Sequence, residues 1–125
     1  MRVVIADASL RDGRRLAAQI EKLLPTADVL LYSDAEAAVA GVTAHEPDVV
    51  VAGPSLGDVD GPSFLGRVHA LDQPKPKLVG VVDQPDPDLS VRYVDAGAVV
   101  VLARPVAPVD LRTALRHAAG GIPGS

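Results

Sequence analysis

The stretch Pro47-Asp48-Val49-Val50-Val51-Ala52-Gly53 frames the reading of the whole chain. Alternate side chains of an extended segment point to opposite faces, so three successive valines leave both faces apolar. Strands buried on both sides, as in parallel sheets, have this composition. Similar runs recur on either side: Val3-Val4-Ile5, Val29-Leu30-Leu31-Tyr32, Leu78 to Val82, and Val99 to Leu102. All are short, Val-rich and mostly continuous rather than alternating.

Helical patterns lie between these runs. Leu16, Ile20, Leu23 and Leu24 make one apolar face, opened by Ser9 with Asp12 three residues on, a capping-box spacing. Ser33 and Glu36 repeat that signal before Ala38, Val39 and Val42, and Phe64, Leu65, Val68 and Leu71 form a third stripe. Asp86-Pro87 reads as an N-cap followed by proline at the first helical position, with Gly97 as the stop. Pro108 opens a last helix that turns Leu111, Ala114 and Leu115 inward. Strand then helix, five times over, with right-handed crossovers, predicts an α/β fold. It is a doubly wound, flavodoxin-like sandwich on a parallel five-stranded sheet of order 2-1-3-4-5. One domain is expected over 1–119, with 120–125 (Gly-Gly-Ile-Pro-Gly-Ser) as a linker or disordered tail.

Composition excludes several classes. The 125 residues suffice for one real core. That core must be aliphatic, because aromatics are 2% of the chain: Tyr32, Phe64 and Tyr93. So few aromatics cannot build a base-stacking platform, and a net charge of −4 argues against nucleic-acid binding. Without cysteine there are no disulfides, thiolate metal sites or Cys nucleophiles. No apolar run is long enough to span a membrane and no signal-peptide pattern opens the chain, so a cytoplasmic protein without membrane insertion is expected.

Around these runs the chain resembles a response-regulator receiver domain. Arg2 to Leu10 resembles the family's first strand with its acidic pair, and Pro47 to Gly53 its third strand. Asp60-Gly61, Asp95-Ala96-Gly97-Ala98 and Arg104-Pro105 fall in order where the family has matching turns and a Lys-Pro. The resemblance implies a site for phosphoryl transfer: an Asp nucleophile ending the third strand, two acids holding Mg²⁺, a Thr or Ser, and a Lys. Each position has a physical role, as nucleophile, oxygen ligands or charge-balancing donors. Here those positions are Gly53, the pair Asp7 and Ala8, Val82 and Arg104. Only Asp7 keeps the family's residue. The chain is thus similar to atypical or pseudo-receivers, which work by protein–protein contact. The run Val51 to Leu56 also resembles the degenerate receiver domain of TadZ/CpaE-like Flp-pilus localisation ATPases, although no phosphate-binding loop of such an ATPase is present.

The expectation is a phosphorylation-independent interaction or dimerisation module of bacterial signal transduction or assembly. It has no catalytic residues, no metal and no cofactor, and it partners itself as a weak homodimer or another protein. By family resemblance its interface lies on the fourth helix, fifth strand and fifth helix, with Tyr93, Val101, Arg112 and Arg116 as candidate contacts. The resemblance also implies a cis Arg104–Pro105 peptide. With no side chain at Gly53 to meet and Asp7 the one acid kept, Arg104 is expected to bridge to Asp7 or an adjacent loop acid such as Asp83, or to swing out to solvent. The alternative is a small-molecule or nucleotide sensor using the crevice at the carboxyl ends of the strands, which Gly53 would enlarge. Gly53-Pro-Ser55-Leu-Gly57 matches a nucleophile elbow in form, but the next helical pattern begins too late for one. Arg11, Arg14 and Arg15 read as a solvated helix face or a docking surface for an acidic partner.

Overall fold

The computed structural model describes residues 1–119, so the tail expected over 120–125 lies outside the described residues. In chain order the elements are β1 (Arg2–Ala6), α1 (Leu10–Leu23), β2 (Asp28–Tyr32), α2 (Ala35–His45), β3 (Val49–Ala52), β4 (Ser55–Leu56), β5 (Val59–Asp60), α3 (Gly61–His69), β6 (Lys77–Val82), α4 (Pro87–Asp95), β7 (Ala98–Ala103) and α5 (Pro108–Ala119). Five strands form one parallel sheet in the order β2-β1-β3-β6-β7. Counting sheet strands alone, this is the expected 2-1-3-4-5.

The continuous apolar runs do what their pattern requires. Val3 and Ile5 face one side of the sheet with Val49, Val51, Val79 and Val81, where Leu16 and Ile20 of α1 and Leu111, Ala114 and Leu115 of α5 cover them. Val4, Ala6, Val50 and Ala52 face the other side, under Val42 of α2, Phe64 and Leu65 of α3 and Tyr93 of α4. Every residue of β3 is buried. Phe64 and Tyr93 are the largest side chains with no exposed surface, so the few aromatics fill the α2–α3–α4 side.

Caps start the helices. The Ser9 side chain accepts from the Asp12 amide at 3.2 Å. Asp86 likewise caps α4, ahead of Pro87, through the Leu89 amide. For α2 the capping residue is Asp34 and not Ser33; its carboxylate accepts from the Ala37 amide at 2.8 Å. A carboxylate at this place also complements the helix dipole. After β3 the chain does not run on as a plain loop. Ser55↔Asp60 and Leu56↔Val59 pair antiparallel as a small hairpin, turned by Gly57 at φ 77° and Asp58. Glycine first in a two-residue turn suits that backbone sign. Asp60 closes the hairpin and caps α3 by accepting from the Ser63 amide at 2.8 Å.

Candidate functional site

Parallel strands aim their carboxyl ends at one rim of the sheet. There β1 delivers Asp7 and Ala8, β3 delivers Gly53, β6 ends at Val82 followed by Asp83, and β7 delivers Arg104. The expected site positions therefore meet. Asp7 is the one buried charged side chain among the described residues. One carboxylate oxygen accepts from the Ser9 amide at 2.9 Å and the other is ion-paired with the Arg104 guanidinium. The second guanidinium nitrogen donates to Asp12 and to Asp83, each at 3.0 Å. Arg104 thus sits in a cage of three carboxylates, with its side chain only 18% exposed. The Arg104–Pro105 peptide is cis, as expected.

Gly53 explains how the guanidinium reaches so far in. A Cβ on Gly53 would lie 2.5 Å from the Asp7 Cγ and 3.0 Å from an Arg104 nitrogen. The expectation that Gly53 enlarges the crevice is therefore corrected: Asp7 and Arg104 fill the space that a side chain here would need. What remains open is a cavity of about 260 Å³ beside it, between α1 and the β7–α5 connection. Ala8 points outward, and its amide donates to the Ser55 carbonyl at 3.0 Å, tying the β1 end to the hairpin. Val82 is buried in the α2–α3–α4 core, and its carbonyl accepts from the Arg104 amide at 2.9 Å.

Burial pushes the Asp7 carboxyl above its usual value; the Ser9 amide and the Arg104 guanidinium pull the other way without cancelling it, and the Asp12 charge adds to the rise. Asp60 goes the other way. Slight burial opposes its ionisation, but hydrogen bonds from Arg92 and Ser63 hold it below the usual range. The Arg92–Asp60 ion pair links α4 to the α3 cap.

Tyr93 is corrected as an interface residue. It has no exposed surface. Its hydroxyl lies 3.0 Å from the Gly53 carbonyl, 3.2 Å from that of Ala52 and 2.9 Å from that of Val81, so it spans the ends of β3 and β6. The ring rests on Gly80, where a Cβ would come within 2.5 Å of it, and the hydroxyl crowds Gly61. Burial pushes the phenol pKa up. Val101 is half-buried against the same core. Arg112 lines a groove between α1 and α5, whereas the groove beside β7 is lined by Asp110, Thr113 and His117 of α5. Arg116 is exposed one turn beyond Arg112. Sequence reasoning missed Asp12 as a partner of Arg104. The signal was its capping-box spacing, which puts it in the first turn of α1, directly after the end of β1.

The family model of the response regulator receiver domain matches residues 3–116. The chain belongs to the response regulator receiver family. A receiver domain of this family is a signal-transduction domain. The protein-glutamate methylesterase/protein-glutamine glutaminase 2 of Anaeromyxobacter dehalogenans is 34% identical over 112 residues, covering 89% of this chain. The receiver chain spans about a third of that relative's length. The crystal structure of a putative response regulator from Chloroflexus aurantiacus superposes with a TM-score of 0.88 at 20% identity, covering 95% of this chain and 97% of that one. The Vibrio cholerae chemotaxis protein CheY4 gives 0.84 at 19% identity, covering 94% and 97%. At these identities the two structures establish the fold. No helix among the described residues is long and apolar enough to cross a membrane.

The family's divalent cation does not fit the residues present. A hard dication needs several free oxygen ligands. Here Ala8 and Gly53 offer no side-chain oxygen, and Asp7 already holds the Arg104 cation.

Proposed function

We propose that this receiver domain works without phosphorylation, as a protein–protein interaction module held in a single state by Arg104. The observation that carries the reading is the filled acceptor position: the Asp7 carboxyl and the Arg104 guanidinium stand where a Gly53 side chain would have to go. A guanidinium is always charged at physiological pH, so the pair neither needs nor awaits a ligand. The domain itself performs no catalysis. Asp60 is no substitute acceptor, being engaged by Ser63 and Arg92, and Asp58 sits exposed at the hairpin tip. A cytoplasmic setting fits such a module.

A second copy of the chain is the partner this reading favours, on the α4–β7–α5 face. β7 is one of the two edge strands of the sheet, and its sequence Ala-Val-Val-Val-Leu-Ala carries none of the charges or prolines that usually guard an edge. Val91, Val94 and Val99, near it, are 58%, 59% and 40% exposed. The test of the main reading is intact-mass measurement after incubation with acetyl phosphate and Mg²⁺. No added phosphoryl mass is expected; a stoichiometric adduct lost in Asp58→Asn would overturn the reading.

A further inference from the structure

The rim at the strand ends carries opposite charges on the two sides of the sheet. On one side stands the first turn of α1, where Leu10 is 45% exposed. Arg11 and Arg14 flank it. Both are exposed, and among the described residues neither is in an ion pair. Leu10 and Arg14 are four residues apart, so they share one face of the helix. On the other side, the start of α2 and the β4–β5 hairpin enclose a cavity of about 370 Å³. Leu56 and Val59 give it an apolar lining, and Asp34, Glu36 and Asp58 give it three carboxylates. Asp58 is in no ion pair, Asp34 offers only one oxygen to the Ala37 amide, and Glu36 meets Arg67 in an exposed surface pair. Between the two patches Ala8 is exposed, and its hydrogen bond to the Ser55 carbonyl fixes the end of β1 to the hairpin.

We propose that two copies of this chain associate rim to rim, each seating the first turn of α1 in the hairpin–α2 cavity of the other. The contact is isologous, so one surface must complement itself. Here it does. A two-fold axis lying across the strand ends near Ala8 turns one rim face down on the other and exchanges the two sides of the sheet. Each basic turn then lies over an acidic cavity. Leu10 reaches Val59, and Arg11 and Arg14 reach Asp34, Glu36 and Asp58. Charge complementarity names the occupant, because a second copy carries both halves of the contact. A nucleic acid meets the three carboxylates beside the two arginines and is repelled by them. The proposal goes beyond pairing through β7 and does not depend on it.

The test is a charge swap read by sedimentation, with Val94→Asp and Val99→Lys present throughout to disable the β7 face. This background protein should dimerise at about 0.05 M salt, with a dissociation constant at least about tenfold higher at 0.5 M. At the higher salt the rim contact is screened, and pairing through β7 is read there without it. Arg11→Glu with Arg14→Glu makes both patches acidic; Glu36→Lys with Asp58→Lys makes both basic. Each variant alone should be monomeric at low salt, with unchanged circular dichroism. Their equimolar mixture should dimerise again, because every acidic patch then finds a basic one. A monomeric background protein at low salt, a dimer that survives either reversal, or a mixture that stays monomeric would each overturn the proposal.

Discussion

At the scale of single residues, Arg104 does the work that a neutral core cannot. The buried Asp7 carboxylate would be costly without a counter-charge, and the guanidinium supplies one with hydrogen-bond geometry. Arg104→Ala strips the cage of its cation. Because the Arg104 side chain is only 18% exposed, this pair is less screened than a surface bridge. We expect a loss of about 1–3 kcal/mol at neutral pH in chemical denaturation, the usual cost of a buried group left unsatisfied. The linkage sign follows from Asp7. Its folded-state pKa lies above the unfolded 3.8, so the folded chain takes up the proton first as pH falls. Relative to Asp7→Asn, the native protein should therefore gain stability as pH drops from the raised value towards 3.8. Denaturation curves of both proteins across that window check the sign, and an opposite slope would mean that the Arg104 pair outweighs burial. The sequence announced Gly53, Asp7 and Arg104 by position. It could not announce that the three share one volume, because that depends on how far a guanidinium reaches across β3.

Among the elements, the strands were readable from continuous apolar runs. The helices were readable from caps such as Asp86-Pro87 and Ser9. Two local features were hidden. The β4–β5 hairpin is only four residues of strand, too short to show a period. Tyr93 was expected at the interface by family resemblance, yet it is buried between exposed Arg92 and Val94. Its burial depends on Gly80 and Gly61, two distant positions whose missing side chains make the room. Gly80→Ala should consequently force the ring aside and cost about 1–3 kcal/mol, the usual penalty of overpacking. Tyr93→Phe keeps the ring but removes the one donor shared by the Ala52, Gly53 and Val81 carbonyls. A loss of about 1 kcal/mol is expected, with faster amide exchange at the ends of β3 and β6. Stability unchanged in both variants would show that α4 is not anchored through this hydroxyl.

For the molecule as a whole, the proposed fixed rim would leave the faces as permanent surfaces. The unguarded edge of β7 and the exposed valines beside it should bring two copies together. Val94→Asp with Val99→Lys should then shift light-scattering mass from dimer towards monomer without changing the melting transition. A monomer at every concentration in the native protein would leave the β7 face without this role. The central claim is that the acceptor volume is permanently occupied, and the most direct measurement is the amide and guanidinium NMR spectrum with and without beryllofluoride and Mg²⁺. Superimposable spectra, with Arg104 side-chain resonances unchanged, are the predicted result. Saturable shifts spreading from Gly53 and Arg104 into β7 would contradict it, since they would mean that the rim still opens to a phosphoryl mimic.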